Sequence, residues 1–373
     1  MKKTKRILFV FGTRPEAIKL APLILKCREY QNNFAVKICV TGQHKEMLYQ
    51  VLSFFDIEPD VDLGNIKSNQ TLFDITTHIL NNINSIIDDF LPEYLVVQGD
   101  TTSAFAGALA GFYKKIKIVH VEAGLRSNDL YSPWPEEGNR LLISKLANYH
   151  FTPTYKATAA LEREGITQGI FEVGNTVVDA LLLADKKNNV SFTIPAVLDQ
   201  IDPDKRIILI TGHRRESFGD PFQQICEAIK ELANRYENCL FLYPVHLNPN
   251  VQKQVYATLS NLKNVLLIPP VDYPVMVWLI KRAHIVLTDS GGIQEEAPAF
   301  GKPVLVMRDV TERTEGVDAG TAKLVGTQKN SIINAVAQLM EDEATYAEMA
   351  KAVNPYGNGT SSQQIIEILI NEN

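Results

Sequence analysis

IVLTDSGGIQEE, residues 285–296, is the strand-to-helix junction from which the fold follows. Its first three residues are apolar, which is typical of a buried parallel strand. Asp289-Ser290 then offers an N-cap, and Gly291-Gly292 falls at the first helical positions. Each glycine destabilises a helix by about 1 kcal/mol relative to alanine. Two glycines together therefore suggest a backbone that a ligand anion approaches closely, although a tight turn with a serine cap remains the alternative.

On both sides of this junction, short apolar runs alternate with helical patterns. Such alternation predicts right-handed βαβ units and parallel sheets with helices on both faces, so the fold class is α/β. Helices are predicted at 16–30, 70–90, 102–113 and 221–236. Strands are predicted at 6–11, 36–41, 94–98, 116–121, 149–152, 206–211, 239–243, 264–268, 284–288 and 303–307.

A chain of 373 residues is too long for one core, which predicts two domains. The strand–helix pattern weakens between about residues 174 and 205 and then restarts. We place a Rossmann-like domain at 1–172, a second at 173–359, and a C-terminal helix at 360–373 that can pack back on the first domain. Ligands of open α/β sheets bind at the carboxyl ends of the strands. Two such domains facing each other therefore predict a site in the cleft between them.

The composition is typical of a globular protein and argues against nucleic-acid-binding, membrane-spanning and secreted classes. Hydrophobic residues make up 45% and charged residues 21%, as in ordinary globular proteins. The net charge of −6 argues against nucleic acid or an anionic membrane as a partner. No run approaches the roughly 18 apolar residues of a membrane span, and the apolar run 7–11 is too short for a signal peptide. The four dispersed cysteines indicate reduced thiols in a cytoplasmic protein.

Polar clusters follow several predicted strands of the first domain, where active-site loops belong. Arg14 and Lys19 lie near a helix start in GTRPEAIK, residues 12–19, which matches neither a dinucleotide-binding nor a Walker motif. Asp100 ends a strand, and helix capping is its alternative role. Glu122 also ends a strand, where glutamate has poor propensity, so we expect it to face a cleft.

Later clusters add further charged groups. Glu136 starts a helix after an extended lead-in that contains two prolines, which is a weak signal by itself. His213 lies in GHRRE, residues 212–216, which predicts an anion pocket with a proton donor, or else a basic turn paired with its own glutamate. Glu296 lies one turn into the helix that begins at residue 291, within reach of ribose hydroxyls. Arg308 and Arg313 are suited to a diphosphate.

Metal and redox cofactors are not predicted, because no zinc, calcium or Cys/His ligand pattern occurs. His44 and His246 follow strands and remain open candidates. A phosphate-binding helix start, several cations, several carboxylates and one histidine together suit a nucleotide diphosphate sugar that reacts near its anomeric carbon.

Five motifs in order resemble the non-hydrolysing UDP-N-acetylglucosamine 2-epimerases, and the resemblance runs almost end to end. It implies a GT-B-like fold of two Rossmann-type domains, a homodimer and no cofactor. It also implies interconversion of UDP-GlcNAc and UDP-ManNAc, which supplies ManNAc units for bacterial surface polysaccharides. The motifs lie at residues 12–19, 99–102, 120–126, 212–216 and 288–313.

The resemblance also implies roles for individual residues. Asp100, Glu122 and Glu136 are the acid and base groups at C2 of the sugar, with the order of abstraction and delivery left open. Lys19 is a structural cation near Asp100, and Ser290 contacts a phosphate. Elimination of UDP to a 2-acetamidoglucal and re-addition then inverts C2.

Two further sets of positions follow from the same resemblance. Val271 and Met276 lie on the uracil side, where relatives carry glutamine and phenylalanine, and backbone contacts would tolerate that change. Thr314 stands where relatives carry a proline. A second, activating UDP-GlcNAc site is implied for some bacterial members; its positions here are Gln43, His44, Gln70 and His246.

Two alternatives stay open at this point. One is an epimerase that acts on a modified UDP-N-acetylhexosamine. The other is a non-catalytic UDP-sugar sensor.

Overall fold

The computed structural model of the chain describes residues 4–43, 45–64, 70–199, 201–214 and 217–372. These residues form two compact units. Unit 1 comprises the residues up to Leu183 together with those from Tyr356 onward, and unit 2 spans Ala184–Pro355. Among the described residues, no helix combines the length and the apolar character needed to cross a membrane.

Unit 1 contains a parallel sheet of seven strands in the order β3-β2-β1-β4-β5-β6-β7. Because β1 pairs with both β2 and β4, the direction of winding reverses between β1 and β4. In sheets of this kind, ligands bind at that reversal, outside the carboxyl ends of the strands. The strands are β1 (Lys5–Phe11), β2 (Phe34–Val40), β3 (Val61–Asp62), β4 (Tyr94–Gln98), β5 (Lys117–Val121), β6 (Tyr149–Thr152) and β7 (Ile170–Glu172).

The helices of unit 1 cover this sheet with apolar stripes. In α3, the isoleucines at positions 75, 79, 83, 86 and 87 are buried, which is the spacing of one helical face. A capping box of Thr71 and Asp74 starts that helix at the surface. The helices are α1 (Arg14–Glu29), α2 (Lys45–Phe54), α3 (Leu72–Phe90), α4 (Thr102–Tyr113), α5 (Glu136–Leu146), α6 (Tyr155–Arg163), α7 (Thr176–Ser191) and, at the end of the chain, α15 (Ser361–Asn371).

Unit 2 repeats the pattern with a parallel sheet of six strands in the order β10-β9-β8-β11-β12-β13. Its winding reverses between β8 and β11, and apolar residues of both faces form its core. The strands are β8 (Arg206–Thr211), β9 (Cys239–Pro244), β10 (Val265–Ile268), β11 (Ala283–Thr288), β12 (Val304–Val306) and β13 (Ala322–Leu324). The helices are α8 (Asp220–Arg235), α9 (Pro249–Leu259), α10 (Tyr273–Arg282), α11 (Gly291–Glu296), α12 (Thr314–Asp318), α13 (Lys329–Glu341) and α14 (Glu343–Lys351).

The α/β class with two parallel sheets is confirmed, and all ten predicted strands are present with ends within two residues. The prediction missed β3, β7 and β13. Each of these has only two or three residues and lies at the edge of its sheet. A strand of two or three residues is too short to stand out as an apolar run in the sequence.

The strand–helix pattern weakens between about residues 174 and 205, but the structure has the 16-residue helix α7 in this interval. The boundary between the units falls inside α7, after Leu183 rather than after residue 172. Polar residues at 185–189 conceal the helical period in the second half of α7. The chain returns from unit 2 to unit 1 at Tyr356. The Tyr356 side chain is buried, and its carbonyl accepts a hydrogen bond from Asn175 N of unit 1.

Helix α15 is part of unit 1. Its apolar side chains Ile365, Ile366 and Leu369 are buried. At its start, the carboxylate of Asp179 accepts a hydrogen bond from Ser362 N at 2.7 Å. At its end, Lys5 Nζ donates to the carbonyl of Leu369 at 2.8 Å, which satisfies an otherwise open helix terminus.

Candidate active site

The junction of β1 and α1 in unit 1 is built around a buried carboxylate. Glu16 Oε2 accepts hydrogen bonds from Gly12 N (3.0 Å) and Thr13 N (2.8 Å), and Oε1 accepts one from Thr101 Oγ1 (2.7 Å). The Glu16 side chain is 1% exposed, and this burial raises its pKa to about 7, against the hydrogen bonds that lower it. A Cβ at Gly12 would lie 2.0 Å from Thr41 Oγ1, so only glycine fits there.

Glu122 follows β5 directly, in a left-handed backbone conformation with φ of 61°. This conformation is uncommon for a residue other than glycine and often marks a functional position. The buried carboxylate accepts hydrogen bonds from Lys19 Nζ (2.5 Å), from Asn175 Nδ2 (3.2 Å) and from Gln98 Nε2. One cation and two amide donors therefore stabilise its charged form.

Lys19 forms an ion pair with Glu122, and its place near Asp100, which the resemblance implies, stays a prediction. Asp100, in the loop after β4, is paired with a different cation. Its Oδ2 accepts a hydrogen bond from Arg140 Nε at 2.8 Å, and its carbonyl accepts one from Asn139 Nδ2 at 2.8 Å. Helix α5 thus holds the Asp100 loop from one side.

The two glutamates that begin α5 have different environments. Glu137 is buried and accepts hydrogen bonds from Arg140 Nη1 (2.6 Å) and Ser127 N (3.0 Å). Glu136 is half-buried, and its Oε2 is buried with no hydrogen-bond partner in the described residues. The lead-in is not extended throughout as predicted, because Pro135 has ψ of 8° at the N-cap. Glu137 is thus a structural group, and Glu136 is left available for chemistry.

In unit 2, the loop after β8 is attached to the loop after β11. His213 N and Arg214 N donate to Asp289 Oδ2 at 2.7 and 2.8 Å, and Tyr243 Oη donates to the carbonyl of Gly212 at 2.7 Å. From the sequence, Asp289-Ser290 is predicted to cap the following helix. The Asp289 carboxylate instead holds the backbone of the histidine loop.

The His213 imidazole is positioned on two sides yet remains 45% exposed. Its ring stacks on His246 with centroids 4.9 Å apart, and its Nδ1 lies 3.6 Å from Asp289 Oδ1. Burial and the neighbouring His213 lower the pKa of His246. An oriented, accessible imidazole beside a buried carboxylate is suited to proton transfer or to an anion. Arg215 and Glu216 of the same motif lie outside the described residues.

Helix α11 begins as predicted, with Ser290 at the N-cap and the two glycines at the first helical positions. The Ser290 side chain makes no capping hydrogen bond. A Cβ at Gly291 would lie 3.2 Å from Arg313 Cζ, so a larger residue there would require the Arg313 side chain to shift by a few tenths of an ångström. A Cβ at Gly292 would have no heavy atom of the described residues within 4 Å, so packing against those residues does not explain this glycine. Glu296, at the end of α11, is buried.

The arginines predicted to hold a diphosphate are paired with carboxylates of their own unit. Arg313 donates through Nε to Glu295 Oε1 (2.9 Å) and through Nη1 to Glu312 Oε1 (2.8 Å). Arg308 Nη1 donates to Glu312 Oε2 at 2.9 Å, and Arg214 Nη2 lies 3.6 Å from Glu312 Oε1. Burial alone would raise the pKa of Glu312, but the arginines lower it to about 2.

The remaining candidate residues are spread over both units. Val271 and Met276 are half-buried and pack against the core of unit 2. Of the four positions considered for a second site, His44 lies outside the described residues, and His246 stacks on His213. Gln43 Oε1 accepts a hydrogen bond from Ser103 Oγ at 2.9 Å. Gln70 is half-buried, and its Oε1 is buried with no hydrogen-bond partner in the described part of the chain.

Hydrogen bonds and ion pairs thus join predicted residues within each unit: Lys19 with Glu122 in unit 1, and the His213 loop with Asp289 in unit 2. Glu16, Gln98, Thr101 and Asn175 also belong to the contacts of unit 1, although the sequence did not identify them. A buried glutamine at the end of an apolar strand is a signal that could have identified Gln98. In the described ranges, no group of three or more His, Cys, Asp or Glu residues is arranged to hold a metal ion.

Comparison with known proteins identifies the family. The sequence profile of a family described as UDP-N-acetylglucosamine 2-epimerase matches residues 26–370. A UDP-N-acetylglucosamine 2-epimerase of Campylobacter jejuni is 51% identical, over 98% of this chain and 97% of that protein. A protein of the same name from Escherichia coli (strain K12) is 50% identical, over 98% of both chains.

A solved structure agrees with these sequence relatives. The crystal structure of UDP-GlcNAc 2-epimerase from Neisseria meningitidis bound to UDP-GlcNAc has a TM-score of 0.91 and 47% identity to this chain, and the match covers 98% of this chain and 100% of that chain. The resemblance found in the sequence is confirmed: the chain belongs to the UDP-N-acetylglucosamine 2-epimerase family.

Proposed function

We propose that this chain interconverts UDP-GlcNAc and UDP-ManNAc by inversion at C2 of the sugar. Glu122 carries the proposal. It is a buried carboxylate in a left-handed backbone conformation, and Lys19 and Asn175 hold its charge. The relatives named UDP-N-acetylglucosamine 2-epimerase support the choice of substrate.

Simple deprotonation does not account for the reaction, because no carbonyl lies next to the C2 hydrogen to make it acidic. In the proposed route, a base removes the C2 proton while the bond from C1 to the diphosphate oxygen breaks. The electron pair of the C–H bond forms the C1–C2 double bond of a 2-acetamidoglucal, and UDP leaves with the bonding pair. Re-addition of UDP at C1 and delivery of a proton to the opposite face of C2 give the epimer.

In the proposal, residues of unit 1 carry out the chemistry at C2, and residues of unit 2 bind the nucleotide. In unit 1, Glu122, Asp100 and Glu136 exchange the C2 proton and stabilise positive charge at C1. Asp100 is held by Arg140 at 2.8 Å, whereas one carboxylate oxygen of Glu136 has no hydrogen-bond partner among the described residues. Which of the three carboxylates removes the proton and which delivers it is left open in the proposal.

In unit 2, the proposed ligand is the uridine diphosphate part of the substrate. His213 and Arg313 stabilise the charge that develops on the departing diphosphate, and the backbone at 290–292 contacts its oxygens. Glu296 accepts from the ribose, and residues 271–276 lie on the uracil side. Arg14 of unit 1 adds a further cation.

Turnover in deuterated water tests the proposal. Incubation with UDP-GlcNAc is expected to give UDP-ManNAc with deuterium at C2, followed by NMR and mass spectrometry. A non-catalytic sensor would bind UDP-GlcNAc and give neither product nor exchange. Product without deuterium would rule out the route through C2 deprotonation.

The cellular setting is part of the same proposal. All four cysteines are buried free thiols, which supports a reducing compartment such as the cytoplasm. The UDP-ManNAc formed would supply ManNAc units to a bacterial surface polysaccharide. Analysis of sugars in a strain that lacks this chain would test that role.

A further inference from the structure

Glu16 links two loops that carry proposed active-site residues. We propose that Glu16 is a positioning residue for the reaction at C2: through Thr101 it fixes the loop of Asp100 against the loop of Arg14. The inference rests on the proposed epimerisation, because it concerns how fast that reaction proceeds.

The geometry of the link is simple. One carboxylate oxygen of Glu16 accepts from the backbone of Gly12 and Thr13, and the other accepts from the Thr101 hydroxyl at 2.7 Å. The same hydroxyl accepts a hydrogen bond from Ala104 N at 3.0 Å. A single side chain therefore joins the amino ends of α1 and α4, which follow the neighbouring strands β1 and β4.

Helix capping alone does not explain this arrangement. Helix α3 has the same kind of capping box, in which Asp74 accepts from Thr71 N at 2.9 Å, and both residues are exposed. Glu16 is instead buried, and its second oxygen bonds to a residue 85 positions away in sequence. Burying a carboxylate is unfavourable unless its hydrogen bonds compensate. A cap that served only α1 would need neither the burial nor the second partner.

The position of Thr101 explains how Glu16 could affect chemistry. Thr101 directly follows Asp100, whose side chain is held by Arg140 at 2.8 Å. Asp100 is thus anchored through its carboxylate on one side and through its neighbour in the chain on the other. Loss of the second anchor leaves the substrate contacts of unit 2 intact but lets the Asp100 carboxylate move. A displacement of about 1 Å at a reacting group can lower a rate by about 100-fold.

The link depends on hydrogen bonds, so an amide can replace the carboxylate. In Glu16→Gln, the amide oxygen can accept from Gly12 N and Thr13 N, and the amide NH₂ can donate to Thr101 Oγ1. In Glu16→Ala both ends of the link are lost. Thr101→Val breaks the link from the other side and leaves Glu16 in place, which gives a second variant if Glu16→Ala does not fold.

The experiment measures kcat and KM for UDP-GlcNAc in wild type, Glu16→Gln, Glu16→Ala, Thr101→Val and the Glu16→Ala/Thr101→Val double variant. We expect Glu16→Ala and Thr101→Val each to lower kcat by about 10- to 100-fold with KM within about threefold. The double variant should be no worse than either single variant, because both remove one link. Glu16→Gln should restore kcat to within about threefold of wild type.

Asp74→Ala is the matched control, since it removes a helix cap that has no such second partner. It should lower thermal stability with kcat unchanged. Wild-type kcat in Glu16→Ala would overturn the inference, as would Glu16→Gln as slow as Glu16→Ala, or additive losses in the double variant. Wild-type chain without C2 exchange would instead contradict the proposed function itself.

Discussion

Glu312 places a negative charge among three arginines of unit 2. Its carboxylate contacts Arg308 and Arg313 at 2.9 and 2.8 Å and lies 3.6 Å from Arg214. A diphosphate that binds these arginines would compete with this carboxylate. Glu312 therefore reduces the positive potential at the proposed diphosphate site.

At this residue we expect Glu312→Gln to bind UDP about three- to tenfold more tightly than wild type, a gain of up to about 1.4 kcal/mol. The amide keeps the shape of the side chain but removes its charge. Isothermal titration calorimetry at two salt concentrations measures the effect. Weaker binding in the variant would mean that Glu312 orients the arginines in the complex rather than competing with UDP.

Because Glu16 is buried, its ionisation should lower the free energy of unfolding as the pH rises. Its pKa in the folded chain is about 7, above the ordinary value of 4.5. The folded chain therefore binds more protons than the unfolded chain between these values, so this group lowers stability as pH rises through that window.

Glu16→Gln lacks the titrating group and should escape this loss. Between pH 4.5 and pH 8, the free energy of unfolding of the variant should rise relative to that of wild type, by at most about 3 kcal/mol. Thermal unfolding of both proteins across this pH range measures the difference. A difference that does not vary with pH would show that Glu16 titrates near its ordinary pKa.

The two adjacent glycines that begin helix α11 have different surroundings. A Cβ at Gly291 would crowd the Arg313 side chain, whereas a Cβ at Gly292 would meet no heavy atom of the described residues within 4 Å. Alanine favours a helix over glycine by about 1 kcal/mol. We therefore expect the space beside Gly292 to be occupied by the proposed ligand.

We expect Gly292→Ala to separate stability from binding. The variant should unfold at the same temperature as wild type or roughly 2 °C higher. Its affinity for UDP should fall by about tenfold or more, because the new methyl group meets the phosphates. Uridine, which has no phosphates, is the matched ligand control and should bind both proteins equally. Unchanged UDP affinity would remove the ligand as the reason for this glycine.

Over the whole molecule, the proposal assigns the sugar to unit 1 and the nucleotide to unit 2. Glu122→Gln should lower kcat by about 10²- to 10⁴-fold and leave UDP affinity unchanged. Arg313→Ala should weaken UDP binding by about tenfold or more. Glu29→Gln, an exposed carboxylate on α1, is the control and should alter neither. A loss of UDP affinity in Glu122→Gln would contradict this division.

The homodimer implied by the family resemblance is a second expectation for the whole molecule. Three consecutive helices of unit 1 carry exposed apolar side chains: Phe73 on α3, Phe112 and Tyr113 on α4, and Leu142 on α5. Light scattering should give twice the chain mass of 41.7 kDa. Phe112→Asp should produce monomer, whereas Val353→Asp, at an exposed valine of unit 2, should not. A wild-type monomer would contradict the expectation.

The sequence by itself predicted much of the local structure. Short apolar runs placed ten strands, and the helical period of about 3.6 residues placed several helices. Positions such as Gly291-Gly292 and Glu122 stood out because their residue types are unfavourable in the predicted element. These features depend on neighbours within a few residues, so they can be read along the chain.

Only the tertiary structure decided which groups are partners. Lys19 pairs with Glu122, 103 positions away, and Glu16 with Thr101, 85 positions away. The tertiary structure also shows that Arg313 pairs with carboxylates of its own unit and that the boundary between the units lies within α7. Such contacts form because crossovers of a parallel sheet bring distant loops to one edge. No local pattern records which side chains meet there, so the electrostatics of the site follow from the fold rather than from the motif.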